Sequence, residues 1–203
     1  GALDWFVTRR GDMRPASTRL WFGEDTMLKR IALLVVAVVA AFCVYVALQP
    51  SAYRVERSAI VVATPEQTFA EVNDFHNWDA WSPWAKLDPA AKATFEGPAS
   101  GQGAVLRWSG NHEVGEGSMT LVESRPSELV RIRTDFVKPF AGSANSEFVF
   151  KGDGPRTIVT WSMSGERGFL ERAICTIMNG DKMIGGQFEK GLANLKKVTE
   201  GKA

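Results

Sequence analysis

From Ile31 to Leu48 the chain reads IALLVVAVVAAFCVYVAL, a run without a charge, an amide or a proline. Such a run constrains the fold more than any other feature, because it must be buried or sit in lipid. At about 1.5 Å per helical residue it spans roughly 27 Å, close to the ~30 Å hydrocarbon core of a bilayer. It is apolar on every face, whereas a helix on a soluble core keeps a polar side. Tyr45 lies near its far end, where interfacial aromatics are at home. The run exceeds the roughly 7–15 residues of a signal-peptide core. Leu48-Gln49-Pro50 gives no small-residue cleavage site, and bulky Phe42 before Cys43 disfavours lipoprotein cleavage. The expectation is an uncleaved anchor over residues 27–49, with a cleaved signal as the other reading.

Flanking cations set orientation. Arg14, Arg19, Lys29 and Arg30 precede the run, and Arg54 and Arg57 follow it. The excess places the N-terminus in the cytoplasm and the rest of the chain outside. Residues 1–26 mix Trp5, Trp21 and several arginines with no helix or strand period. Met27-Leu28-Lys29-Arg30 then looks like an ordinary start, so residues 1–26 read as an upstream extension or a disordered leader.

Residues 50–52 form a linker, and one domain is expected over 53–200. Subtracting the six cations and four anions of residues 1–52 from totals of 24 and 23 leaves 18 and 19. This near-neutral balance excludes a basic nucleic-acid binder and a polybasic lipid patch. Residues 53–63 are rich in β-branched side chains and read as a strand. Thr64-Pro65-Glu66-Gln67 is a helix start with a cap, a first-position proline and a capping box. A second short helix is expected over 77–81. Turn signals then separate strands over 94–96, 104–108, 115–124, 129–136, 143–150 and 157–164. Val130, Ile132, Thr134 and Phe136 alternate with Arg131, Arg133 and Asp135, the pattern of an antiparallel sheet with one wet face. The chain ends in helix, weakened at Asn179-Gly180, with a longer second piece from about Asp181.

Several motifs stand out on this framework: Asn73-Asp74-Phe75 through Trp78, Trp81-Ser82-Pro83-Trp84, Gly115-Glu116-Gly117-Ser118-Met119, Trp161-Ser162-Met163-Ser164-Gly165, and Asp181-Lys182-Met183 through Phe188-Glu189-Lys190-Gly191-Leu192. Together with the element order, they resemble the START-like helix-grip (SRPBCC, birch-pollen-allergen) superfamily, in its bacterial polyketide cyclase/dehydrase branch. The resemblance covers about residues 53–199. It implies an α+β fold, with a curved antiparallel sheet around a long C-terminal helix and a cavity between them. It also implies an apolar ligand, since family members bind lipids, sterols, quinones or polyketides and some catalyse ring closure or dehydration.

Trp78, Trp81 and Trp84 recur every three residues, which puts the first two on one helix face. They read either as an aromatic lip over a cavity or as core. On a concave ligand face, core and lining coincide, so Trp108, Phe136, Trp161, Met163, Met183 and Phe188 join them as candidate lining. Glu116, Glu147 and Asp181 are candidate polar contacts in that cavity. Exposed strand charge is the alternative for the two glutamates, and a helix N-cap for Asp181. His76 and His112 lack an evident orienting carboxylate and read as surface histidines.

No nucleophile signature, phosphate-binding glycine loop or metal-ligand spacing is present, so no catalytic residue, cofactor or metal is assigned. Cys43 in the apolar run and Cys175 in a late helix are not expected to pair. The functional expectation is a membrane-tethered module binding a hydrophobic small molecule or lipid. The alternative is a cyclase or dehydratase working in the same cavity.

Overall fold

The computed structural model describes residues 22–202 apart from residue 140. The chain divides into two compact units between Val44 and Tyr45. Helix α1 (Phe22–Leu48) begins ahead of the expected boundary at residue 27. The leader expected over 1–26 is thus helical from residue 22, and residues 1–21 lie outside the described ones. A helix nucleated by the strongly apolar turns extends backwards at little cost. Its Thr26–Leu48 segment is long and apolar enough to cross a membrane. Val35, Val36, Val38 and Val39 are each more than half exposed (54%, 64%, 60% and 53%), which argues against a soluble-core helix.

The second unit is an α+β helix-grip fold, as the sequence led us to expect. Strand β1 (Ala52–Val61) leads into α2 (Pro65–Asn73), a 3-10 turn at Phe75–Asn77 and the short α3 (Trp78–Trp81). Strands β2 (Lys92–Glu96), β3 (Val105–Ser109), β4 (Glu116–Arg125), β5 (Leu129–Lys138), β6 (Gly142–Asp153) and β7 (Arg156–Glu166) follow, then α4 (Phe169–Met178) and α5 (Gly180–Glu200). The sheet is antiparallel throughout, in the order β1-β7-β6-β5-β4-β3-β2. Register shifts between Glu116/Gly117 and between Leu121/Glu123 bend β4 against β5 and help curl the sheet.

Helix α2 starts where its residues require. The Thr64 side chain accepts from the Gln67 N–H while the Gln67 side chain accepts from the Thr64 N–H, and Pro65 occupies the first turn. At the other end of the domain Asn179, in the left-handed conformation at φ 53°, closes α4 and caps α5 by accepting from Lys182 N–H at 3.2 Å.

Helix α5 packs on β1 and β7 and against α2, α3 and α4. Phe188, Leu192 and Leu195 are fully buried beneath it. Gly191 allows the close approach, since a Cβ there would stand 2.8 Å from Trp161 Cζ3. The helix leaves the β2–β4 end of the concave face uncovered.

Where β1 meets α4, Tyr53 lies beneath Arg167, whose guanidinium carbon stands 3.9 Å from the ring centroid. Gly165 opposite leaves room for this ring. Arg172 donates to the carbonyls of Ala47 and Gln49 at 3.3 and 2.7 Å, satisfying chain-end acceptors at the close of α1.

Burial pushes the Tyr53 hydroxyl above the usual tyrosine range, with Arg167 opposing the shift. The folded state therefore holds the Tyr53 proton more tightly than the unfolded state. The associated stability is intact below the ordinary tyrosine pKa of about 10 and is lost as pH rises through the folded value. Tyrosinate absorbance of Tyr53→Phe subtracted from wild type should titrate above that value. Alkaline destabilisation, followed by chemical unfolding, should be shallower in Tyr53→Phe. A difference titration at or below the ordinary value would contradict this placement.

Candidate ligand cavity

The concave face is built from alternate residues of successive strands. Val130, Ile132, Thr134 and Phe136 supply β5, Ser146, Phe148 and Phe150 supply β6, and Val159, Trp161 and Met163 supply β7. Where α5 covers this face, an aromatic stack fills the space. The Trp161 ring lies between Phe188, at 4.0 Å and 9°, and Phe148, at 4.7 Å and 26°. Trp81 meets Phe148 and Trp161 edge-on at 6.0 and 5.9 Å.

Beyond the stack the face opens into a cavity of about 570 Å³, within the size range of small-molecule sites. Its far walls are α3, the 82–93 segment, β2, β3 and the start of β4. Phe75, Trp78, Trp84, Trp108, Phe136 and Trp161 give it an aromatic wall. Leu106, Met119 and Met163 continue the apolar surface.

The expected lining residues divide into two groups. Trp78, Trp84, Trp108, Phe136, Trp161 and Met163 lie on the cavity wall. Trp81, Phe188 and Met183 do not. Trp81 and Phe188 are both fully buried in the stack, on the side that α5 has already filled. Met183 sits in the first turn of α5 and is 49% exposed. Trp78 and Trp81 do share a face of α3, with ring centroids 4.6 Å apart, yet only Trp78 reaches the cavity. Each tryptophan N–H has its own circumstance. Trp78 donates to Val72 at 3.0 Å, Trp81 to Glu71 at 3.1 Å and Trp108 to Val114 at 3.1 Å, all at backbone carbonyls. Trp161 Nε1 is sealed inside and has no partner among the described residues.

The three candidate carboxylates are corrected. Glu116 pairs with Lys138 at 2.8 Å, and burial at the cavity is not its environment. Glu147 accepts from Arg131 at 2.8 Å on the opposite, wet face, where Arg131 also meets Glu123. Asp181 is neither a cavity contact nor a cap. It accepts from Arg57 at 3.1 Å, beside Glu189 at 2.8 Å, and Asn179 is the residue that caps α5. These carboxylates hold Arg57 and Arg131 charged above the usual arginine range, and Glu116 does the same for Lys138.

His76 requires a second correction, because it has an orienting carboxylate after all. Asp74 Oδ1 lies 2.7 Å from His76 Nδ1 and also accepts from the His76 backbone N–H at 2.9 Å. A carboxylate only accepts, so Nδ1 carries the proton and Nε2 of the neutral ring keeps its lone pair. The ring stacks on Phe95 at 4.1 Å, and both line the cavity at its edge. The Asp-x-His spacing was the available signal, since the same aspartate caps the 3-10 turn. His112 stands in the exposed 110–113 turn and is not on the cavity wall.

Charge is confined to the margin. Asp79, Lys92, Glu113 and Lys138 are exposed, half-buried Asp88 accepts from the backbone N–H groups of Ala90 and Asn111, and among the described residues no fully buried lining residue is ionisable. Among the described residues no group of three or more His, Cys, Asp or Glu is placed to hold a metal ion.

Trp108 reaches over its cross-strand partner Gly117, where a Cβ would stand 2.6 Å from the indole ring. Gly117→Ala should displace that ring from the cavity wall and destabilise the domain by about 1–3 kcal/mol. Urea unfolding measures the cost, and a blue- or red-shifted tryptophan emission relative to wild type reports the displaced ring. An unaltered spectrum with unaltered stability would show that Trp108 does not rest there.

A family model described as "Polyketide cyclase / dehydrase and lipid transport" matches residues 52–200. Among curated proteins none matches this chain. Solved structures share the fold at low identity. The Zhui aromatase/cyclase from Streptomyces sp. R1128 is 14% identical, with a TM-score of 0.53, covering 73% of this chain and 94% of that one. Ara h 8.0201 is 10% identical, with a TM-score of 0.52, covering 74% and 99% respectively. A protein from Mycobacterium smegmatis is 10% identical at 0.52, covering 74% and 92%. The family match spans the whole sheet and helices α2 to α5, and the chain belongs to the polyketide cyclase / dehydrase and lipid transport family.

Proposed function

We propose that this chain is a membrane-tethered binding module that takes a hydrophobic small molecule or lipid into the cavity of its helix-grip domain. The observation that carries this reading is the 570 Å³ space with an aromatic wall, uncharged in its buried part and charged only toward its margin. Burying apolar ligand surface there yields about 25 cal/mol per Å² removed from water, and no charge opposes entry into the interior. The family description, with its reference to lipid transport, supports the same class of ligand. The exposed apolar Thr26–Leu48 helix supports the tether. Lys29 and Arg30 stand in its first turns, whereas beyond it Arg54 is ion-paired to Glu56 within β1 and Arg57 to Asp181 and Glu189 of α5. The tether accordingly runs with its N-terminus cytoplasmic and the binding domain outside.

The full chain, extracted from membranes and analysed by native mass spectrometry, should carry a mass excess that organic solvent removes. A chain that is empty on isolation, and that also fails to bind 1-naphthol, would overturn the reading. Protease added outside sealed cells should cleave the folded domain. Protection of that domain would reverse the orientation.

The second reading, a cyclase or dehydratase, rests on the Asp74–His76 pair. His76 lines the cavity at its edge, and a base there that takes a proton from an activated carbon can return it to a departing hydroxyl. If the cavity is catalytic, His76→Asn should lower turnover of a polyketide-like substrate by about 10²–10⁴-fold with ligand affinity unchanged. Equal turnover in wild type and variant removes this reading and leaves the binding module intact.

A further inference from the structure

Two side chains in the buried part of the cavity have chemistry that the fold does not use. Thr134 on β5 and Ser146 on β6 both line the cavity, and each is only 4% exposed. Neither hydroxyl has a hydrogen-bond partner among the described residues, in contrast to buried Thr68, Thr157 and Thr199, which donate to backbone carbonyls at 3.0, 2.8 and 2.9 Å. Nor is either hydroxyl sealed inside protein in the way that Trp161 Nε1 is. Because both residues also line the cavity, an oxygen that is neither bonded nor sealed in them faces the void. The register places the two side by side. Ser146 pairs with Ile132, and Thr134 follows Ile132 by two residues on the same face. Such diagonal neighbours on adjacent strands lie about 7–8 Å apart. Around them are Met119, Met163 and Ala144, the cross-strand partners of Thr134 and Ser146, which offer no polar group of their own.

We infer that Thr134 and Ser146 form a polar seat for one end of the ligand, which is therefore a neutral amphipathic molecule. It carries a hydroxyl or carbonyl oxygen at its inner end and an apolar body toward the Trp84 and Trp108 walls. This rests on the binding reading above and names the class of ligand. A hydroxyl both donates and accepts, so the seat takes an alcohol or a ketone equally. It does not suit a carboxylate, because no cation lines the buried part of the cavity and an unpaired charge there is costly. A pure hydrocarbon leaves both buried hydroxyls without a partner, which disfavours it relative to an alcohol or ketone.

The test uses the full chain in lipid nanodiscs, titrated by calorimetry with three probes of one shape, namely 1-naphthol, 1-methylnaphthalene and 1-naphthoate. Empty discs provide the blank, and comparison of variant with wild type for one probe cancels partition into lipid. Wild type should bind 1-naphthol at least fivefold more tightly than either other probe. Thr134→Val and Ser146→Ala should each weaken 1-naphthol by about 2–10-fold, the effect of one net hydrogen bond. Both variants should leave 1-methylnaphthalene unchanged or improved. Neither should lower the melting temperature, since the hydroxyls hold nothing in the protein together. The seat is overturned if wild type binds the three probes alike, if it prefers 1-naphthoate, or if both variants retain the full 1-naphthol preference. A melting temperature lowered in both variants would also overturn it, by showing the hydroxyls to be structural. Failure of wild type to bind any probe overturns instead the binding reading on which the seat rests.

Discussion

The sandwich of Trp161 between Phe148 and Phe188 ties the sheet to its long helix, and the rest of the domain is arranged around it. Offset and parallel aromatic contacts add about 0.5–1.5 kcal/mol beyond the area they bury. The positional effect matters as much. Because the rings lie 4.0 and 4.7 Å apart, α5 must approach β7 closely. Only a glycine at position 191 permits that approach. The helix is thereby drawn over the β1–β7 side, and the far half of the concave face stays open. Trp161 is the boundary, because one face of its environment is packed core and the other belongs to the cavity wall. A sheet this curved with a helix on only part of it has to leave either a void or a ligand site at the uncovered end.

Charge distribution follows the same division. Arg57, Arg131 and Arg133 all find carboxylates outside the cavity, in pairs that are largely solvent-exposed. Exposed pairs of this kind contribute about 0–1 kcal/mol each. Their larger effect is on where charge is absent. Every acidic candidate on the strands is engaged by a cation on the wet face or at the domain edge, so the cavity interior keeps only neutral polar groups. The His76–Asp74 pair at the opening is held in place by the turn that joins α2 to α3 and by stacking on Phe95.

Much of this was legible in the sequence, for identifiable reasons. Strict alternation from Val130 to Phe136 fixed the inward face of β5, and the capping box at Thr64 fixed the start of α2, because both signals are local. The aromatic residues inside the sheet could be found but not sorted. Trp81 and Trp78 have the same spacing signal, and only the course of α5 decides which of them meets packed side chains and which meets space. The acidic residues misled for a related reason. Asp181 follows Asn179-Gly180 and looks like a cap, but Asn179 takes the left-handed conformation and caps the helix itself, freeing Asp181 for Arg57, distant in sequence. Asp74 and His76 were two residues apart, and their pairing depended on a 3-10 turn that the sequence pattern did not distinguish from a loop.

The proposed tether and the proposed hydroxyl seat bear on one another through the choice of reference solvent. A ligand entering from water gains hydrophobic free energy in proportion to its apolar area, and almost any apolar molecule of suitable size would qualify. A ligand entering from a bilayer gains nothing of that kind, because lipid tails are as apolar as Leu, Met or Trp side chains. For a module held at a membrane the gain must come from elsewhere, namely from shape, aromatic contact and hydrogen bonds that hydrocarbon does not supply. Thr134 and Ser146 in the buried wall are able to provide such bonds, and their lack of partners among the described residues leaves them available. On this argument discrimination among membrane-dissolved molecules falls on two neutral oxygens, and the large aromatic surface around them sets capacity more than choice.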